Sequence, residues 1–252
     1  MNQSEKAARF AALHVKGAPL LLYNAWDAGS AQSILDAGAK AIATSSWAVA
    51  EAQGYRDGEA IPVGLVEQIV ARIAGTIDVP VTVDFEGGYS DDDTVLAENV
   101  SRILELGVVG VNFEDRVVQG VGLYAVDRQA HRIAAIRDAA DKKGVNLFIN
   151  ARTDLFLGQQ GDPATSVGDA LDRAKAYASA GASGLFIPGL QDEALIGRIC
   201  DGTALPVNVM VMDGVPSNER LSKLGVARIS YGPIPYISAM KALKEDALKV
   251  LA

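Results

Sequence analysis

A chain of 252 residues, 49% apolar and 21% charged, can bury a large core, and because α/β barrels use about 250 residues as one domain, a single domain over residues 1–252 is expected. The 23 Lys and Arg against 31 Asp and Glu give a net charge of -8 with no basic run, which argues against nucleic acid and anionic membrane as partners. A lone cysteine, Cys200, excludes intramolecular disulfides and a cysteine metal cluster, and two histidines, His14 and His131, exclude a histidine-rich metal site.

Residues 1–17 scatter Glu5, Lys6, Arg9 and Lys16 among apolar positions, so neither a signal-peptide core nor a membrane span is present there, and a soluble, cytoplasmic protein is expected. A helix is predicted over 3–15. Short apolar runs then alternate with longer amphipathic segments. The runs predict strands at 20–24, 41–46, 79–86, 109–115, 147–152, 184–188, 205–210 and 227–231. Helices are predicted at 28–36, 65–76, 95–106, 128–142, 167–180, 192–200, 217–224 and 237–250, and Gly38, Gly107, Gly144, Gly181 and Gly225 follow five of them, where a left-handed C-cap is expected. Eight βα units in series predict a (β/α)8 TIM barrel, an α/β fold, preceded by the N-terminal helix. The rival, an open doubly wound sheet, would be favoured by a G-x-G-x-x-G turn after the first strand, and none is there.

In such a barrel the chemistry sits at the C-terminal ends of the strands, so the polar residues that close each apolar run carry the information. In Val81-Thr82-Val83-Asp84-Phe85-Glu86-Gly87-Gly88, alternation predicts Thr82, Asp84 and Glu86 on one face. The next strand repeats the design, with Asn112 and Glu114 opposite Val111 and Phe113. Carboxylates crowded at one mouth repel, and a hard cation neutralises them most simply; Mg2+ fits best, since it takes oxygen ligands and keeps several waters. Gly87 and Gly88 are expected to let the backbone approach a ligand. The alternative is that these acids pair with Arg116 and Arg152 as salt bridges without a metal. Asp115 is expected to be solvated.

The fifth strand puts Asn150, Arg152 and Asp154 on one face, and the planar fork of Arg152 suits the carboxylate of an anionic substrate; balancing Glu114 is its other reading, and both can hold. Thr44-Ser45-Ser46-Trp47 ends the second strand with hydroxyls and N–H groups that suit a substrate carboxylate or an enolate oxygen, although such residues also cap or turn a chain. Asn208, on the seventh strand, is a further pocket candidate. His131 and His14 read as surface or packing residues, and Cys200 as packing.

The stretches Tyr23-Asn24-Ala25-Trp26-Asp27-Ala28-Gly29-Ser30-Ala31, Ala43-Thr44-Ser45-Ser46, Gly54-Tyr55-Arg56-Asp57-Gly58-Glu59, Val83-Asp84-Phe85-Glu86-Gly87-Gly88-Tyr89, Asn112-Phe113-Glu114-Asp115 and Ile149-Asn150-Ala151-Arg152-Thr153-Asp154 resemble, in this order, the phosphoenolpyruvate mutase/isocitrate lyase superfamily. The resemblance implies Mg2+ held directly by Asp84, with Glu86 and Glu114 reaching it mainly through water and Asp57 supporting the site from the loop after strand two. It implies that Ser45, with the backbone of Ser46 and Trp47, grips a 2-oxo acid whose carboxylate binds Arg152. Relatives make or break a C–C or P–C bond beside a pyruvate unit, through a Mg2+-stabilised enolate or a related intermediate.

Two departures narrow this. The lyase branch carries a Lys-Lys/Arg-Cys-Gly-His segment after strand four, whose cysteine is a general acid; here the loop reads Arg116-Val117-Val118-Gln119-Gly120-Val121-Gly122-Leu123-Tyr124. The loop also lacks the longer polar gate of the P–C enzymes; Arg116, Gln119 and Tyr124 are its polar candidates. Three functions follow: a Mg2+-dependent lyase or decarboxylase for an oxaloacetate-like 2-oxo acid, a phosphonopyruvate hydrolase or phosphoenolpyruvate mutase relative, or a barrel that binds a 2-oxo acid without turnover. A lid whose polar side chains reach the ligand favours phosphoryl chemistry, and an apolar lid favours decarboxylation or binding. The resemblance also implies a homo-oligomer, a dimer or tetramer, in which relatives commonly exchange the last barrel helix; the apolar positions Ile237, Met240, Leu243, Ala247 and Leu248 serve equally to seal the chain's own barrel.

Overall fold

The eight apolar runs become eight strands, each shorter than its run: β1 (Leu20–Leu22), β2 (Ile42–Ala43), β3 (Val81–Asp84), β4 (Gly110–Glu114), β5 (Phe148–Arg152), β6 (Gly184–Phe186), β7 (Val207–Met210) and β8 (Arg228–Ser230). The structure, a computed structural model, describes residues 1–158 and 162–251. Every strand pairing is parallel, in the order β1-β8-β7-β6-β5-β4-β3-β2. A single parallel bridge between Ala25 and Thr44 joins the two ends, with the Ala25 N–H donating to the Ala43 carbonyl at 2.8 Å and the Ser45 N–H to the Ala25 carbonyl at 3.2 Å. The result is the (β/α)8 barrel that the βα alternation predicts.

The helices are α1 (Gln3–Ala12), α2 (Ala28–Asp36), α3 (Ser46–Ala52), α4 (Val63–Thr76), α5 (Asp93–Glu105), α6 (Val126–Lys142), α7 (Val167–Ser179), α8 (Glu193–Gly202), α9 (Asn218–Lys223) and α10 (Ile234–Leu251), with a 3-10 turn at Pro163–Ser166. Side-chain caps start several of them: Asn2 with Glu5 and Asp27 with Ser30 form capping boxes, and Asp92, Asp192 and Ser217 accept from the first turns of α5, α8 and α9. α3 is the one helix the apolar pattern does not announce; seven residues are too few for a periodicity, and Ser45 starts it as N-cap.

Strand alternation separates an apolar outer layer from a polar inner one. Val81, Val83, Val111 and Ile149 point outward and pack with Val70, Val100 and Ile133 of the surrounding helices. Inside the barrel the layer is polar: Thr82, Asn112, Asn150, Asn208, Arg228 and Ser230 are all buried. α1 seals the bottom. Its Phe10, fully buried, packs with Leu20, Leu22, Val109 and Phe148, and reaches so close to Gly110 that a Cβ there would lie 2.7 Å from its ring. His14 also packs here, its ring stacked on Phe148 at 3.9 Å, and burial lowers its pKa to about 3. Cys200 is buried in the α8 core and His131 lies on the surface. No helix among the described residues is long and apolar enough to cross a membrane.

Candidate active site

The register brings the strand-end polar groups side by side. Asp84, Asn112 and Asn150 are neighbours across β3, β4 and β5, and Glu114 lies beside Arg152. Asp84 receives donors on both oxygens: the Ser46 N–H at 3.1 Å and Ser46 Oγ at 2.9 Å on Oδ2, and the Asn112 amide at 3.2 Å on Oδ1. Ser46 Oγ also lies 3.3 Å from Asp57 Oδ1, which ties the loop after β2 to the same group. The Ser46 N–H that the resemblance gives to the substrate is therefore directed at Asp84. Ser45 is buried as the N-cap of α3, and Trp47 packs edge-on against Tyr236.

Glu86 reaches the centre by a route different from strand alternation. β3 ends at Asp84, and Glu86 sits in a turn with φ 48°. Its Oε2 accepts from the Gly58 and Glu59 N–H groups at 3.0 and 2.8 Å, and its Oε1 from the Tyr89 hydroxyl at 3.2 Å. The Tyr89 N–H in turn donates to Glu59 Oε1 at 2.8 Å. Glu59 (φ 57°) and Tyr89 (φ 62°) are the other non-glycine left-handed residues among those described, so the two loops interlock through three strained positions. Burial, then the charges of Asp57 and Asp84, push the Glu86 carboxyl up to about 8. Burial and Asp84 likewise raise Asp57, while Arg152 opposes them.

Glu114 pairs with Arg152 at 2.9 Å, and Arg152 grips Asp154 through Nε at 2.6 Å and Nη2 at 2.9 Å. Burial raises the Glu114 carboxyl well above its ordinary value; Arg152 opposes this, and Asp154, Asp84 and Glu86 reinforce it. Burial alone would lower Arg152, but Glu114 and Asp154 outweigh it and raise it. Three of the five guanidinium N–H groups are used, which leaves two for another acceptor.

Several expectations are corrected. Asp115 is fully buried rather than solvated: it accepts from the Asp154 N–H at 3.0 Å, just past β5, and from Arg173 at 3.1 Å and the Tyr177 hydroxyl at 2.9 Å, both on α7 some sixty positions on. Of the two arginines expected to balance the acids, Arg152 does so and Arg116 is exposed at the surface. Gly87 and Gly88 make room for the chain's own side chains, since a Cβ on Gly88 would lie 2.2 Å from Leu96 and one on Gly87 3.0 Å from Glu59 and Val118. Tyr124 is committed to Asp91 and stacked under Arg132 at 4.4 Å. Asn208 is buried inside the barrel, hydrogen-bonded to Ser230 at 3.2 Å, and joins Asp84 through the chain Ser230, Arg228 and Asn112. Glu59 and Tyr89, which stand in the resembling stretches without a role, and Arg228, which no motif marks, also belong to the site's surroundings; the polar alternation Arg228-Ile229-Ser230 on β8 is the sequence signal for the last.

Among the described residues no three acidic, histidine or cysteine side chains converge closely enough to chelate an ion directly. The donor set is nevertheless all oxygen, and Asp84 is its only member on a strand end that stays partly open. That matches an ion bound by one or two carboxylates that keeps several waters, as Mg2+ does. In the loop after β4, Val118 lies against Gly87 and near Gly58, and Arg116, Gln119 and Tyr124 line a cavity beside it.

Fold and site thus define a (β/α)8-barrel protein with a carboxylate-lined mouth and the Arg152 fork beside it. Residues 10–251 match the phosphoenolpyruvate phosphomutase family, and the chain belongs to that family, within the phosphoenolpyruvate mutase/isocitrate lyase superfamily. It is 33% identical to an uncharacterized protein of Mycobacterium tuberculosis (strain ATCC 25618 / H37Rv) over 238 residues, 94% of this chain and 87% of the relative. Oxaloacetate decarboxylase of Ectopseudomonas mendocina is 29% identical over 186 residues, 70% of this chain and 60% of the relative. 2-Methylisocitrate lyase of Salmonella typhimurium is 28% identical over 262 residues, 99% and 85% respectively. Among solved structures, a provisionally named phosphonomutase of Burkholderia cenocepacia J2315 is 45% identical and superposes with a TM-score of 0.95 over 98% of this chain and 99% of that one. Phosphonopyruvate hydrolase, solved with oxalate and Mg2+, shares the fold at 19% identity and a TM-score of 0.85, over 99% and 87%.

Proposed function

We propose that the protein is a Mg2+-dependent carbon–carbon lyase or decarboxylase acting on a small, oxaloacetate-like 2-oxo acid. The observation that carries this is the all-oxygen acidic centre around Asp84 with the Arg152 fork beside it, next to a loop whose Val118, against Gly87, is apolar. In this reading Asp84 binds the metal directly, Glu86 and Glu114 reach it through water, and Asp57 orients the group through Ser46. The bound ion would supply a Lewis acid for the charge that develops on the 2-oxo oxygen when the bond breaks. The two remaining N–H groups of Arg152 hold the substrate carboxylate in a fixed plane. Ser45 and the Trp47 N–H, in the first turn of α3 where helix N–H groups have no intrahelical partner, face the 2-oxo acid from the other side.

P–C bond cleavage is the second reading, favoured by the likeness to the provisionally named phosphonomutase. Oxaloacetate, phosphonopyruvate and 2-methylisocitrate, each assayed with Mg2+ and with chelator, separate the readings. Turnover of oxaloacetate that chelation abolishes is expected; activity unchanged by chelation would sink the metal assignment. Replacing Asp84→Asn should lower Mg2+-dependent turnover by at least ~10³-fold with the circular dichroism spectrum unchanged, on the scale of losing a principal electrostatic group. Binding of a 2-oxo acid without turnover would leave the barrel as a binding protein.

The chain is further proposed to act as a homo-oligomer. α10 is anchored by Tyr236 against Trp26 and Trp47, but Ile237, Met240, Leu243 and Leu248 beyond it are exposed. On the barrel wall an apolar groove of about 740 Å³ lies open between α1 and α2, lined by Leu21, Tyr23, Ile34 and Tyr231 among others. Unpacked helix and open groove are complementary, which supports association through this end.

A further inference from the structure

Arg228 is among the largest fully buried side chains, and no carboxylate among the described residues pairs with it directly. It is 1% exposed; Nη2 donates to Asn112 Oδ1 at 3.0 Å, Nε to Ser230 Oγ at 3.3 Å, and Nη1 has no partner. A buried cation left so is costly unless something nearby carries the opposite charge. The nearest route to such charge runs through Asn112. A guanidinium has only donors, so Asn112 must turn its oxygen toward Arg228 and its NH2 toward Asp84, and that oxygen also accepts from Asn150 at 2.9 Å. Burial pushes Arg228 down to about 9 while Asp84 opposes this, so the group is still a cation at neutral pH.

We infer that Arg228 is a positioning residue that serves, through Asn112, as the built-in countercharge of the acidic mouth. It offsets the repulsion among Asp57, Asp84, Glu86 and Glu114 when no metal is bound, and it competes with the metal for the same negative charge. Arg228 therefore holds Mg2+ affinity below what the carboxylates alone would give. A cation that shares the field of a carboxylate cluster acts on a divalent ion with twice the force it exerts on a monovalent one. The guanidinium fork meanwhile fixes the Asn112 amide and so the rotation of Asp84. Charge and orientation are separable by substitution.

The inference rests on the Mg2+ reading of the site. Mg2+ is titrated calorimetrically into the full-length wild type and into the variants R228M and R228K, each checked for fold by circular dichroism. R228M removes the charge and is expected to bind Mg2+ on the order of tenfold tighter, as expected for removal of a partly buried like charge. R228K keeps the charge and loses the fork, so its Mg2+ affinity should stay within about twofold of wild type while its melting temperature falls. Equal Mg2+ affinity in R228M and wild type, or tightening in R228K as large as that expected for R228M, would overturn the countercharge role. If R228M does not fold, R228Q, which also removes the charge but keeps hydrogen-bond donors for Asn112 and Ser230, takes its place with the same expected tightening, and equal affinity in R228Q and wild type overturns the role. Failure of the wild type to bind Mg2+ overturns both this inference and the reading beneath it, whereas Mg2+ binding by wild type with no change in R228M overturns only the inference.

Discussion

At the scale of single residues, the centre is made by donors as much as by acids. Asp84 is held from both sides by Ser46 and Asn112, and Glu86 by two backbone N–H groups, so each carboxylate is aimed before any ligand arrives. Three non-glycine residues in the left-handed region, Glu59, Glu86 and Tyr89, cost roughly 1 kcal/mol or more each, and their reciprocal hydrogen bonds keep them there. Glu86 gives this a pH signature. Its carboxyl titrates near 8 in the folded chain and near the ordinary 4.5 when unfolded. Between those values the folded state holds a proton that the unfolded state releases. The stabilising contribution is thus complete below 4.5 and lost as pH rises through 8. Urea titrations in chelator from pH 5 to 8.5 should show wild-type stability falling with pH, and Glu86→Gln should flatten that slope. An equal slope in the variant would contradict the burial of Glu86 as the cause.

At the scale of elements, α1 does for the bottom of the barrel what the loops do for the top. Phe10 enters beneath Gly110 and touches the first residues of several strands, so the N-terminal helix is part of the core rather than an appendage. Phe10→Ala should cost about 3–5 kcal/mol, the range for deleting a buried phenylalanine, read as a lower urea midpoint at unchanged slope. Because the mouth groups lie at the other end of the strands, Mg2+ affinity in the folded variant should stay close to wild type. α3 shows the opposite case of an element too short for any periodicity, started by Ser45 and useful because it turns Ser46 toward Asp84.

At the scale of the whole molecule, the barrel is asymmetric in its covering. Helices α4 to α8 pack on the sheet with buried apolar faces, whereas Pro235 is the only buried residue of α10 among those described. Leu21 and Tyr23, 48% and 45% exposed, mark the wall left open. Light scattering coupled to gel filtration should give a wild-type mass that is a multiple of the chain mass. Charges at two α10 positions, Met240→Glu with Leu243→Glu, should shift it to one chain. A monomeric wild type would mean that the helix and groove do not meet between copies.

Sequence alone determined the architecture and much of the mouth. βα alternation gave eight strands and most helices to within a few residues, because burying one face of each element imposes a period that survives without its partners. Strand alternation likewise placed Asp84, Asn112, Glu114 and Arg152 on inward or mouth-facing positions, since a pleat fixes direction locally. The tertiary structure decided whatever depended on distant partners. Asp115 is buried because Arg173 and Tyr177 come to it from α7, Glu86 faces the centre through a left-handed turn held by Gly58 and Glu59, and Arg228 meets Asn112 across the barrel from 116 positions away. Those are questions of which charges share a low-dielectric interior, and only the closed barrel brings them together.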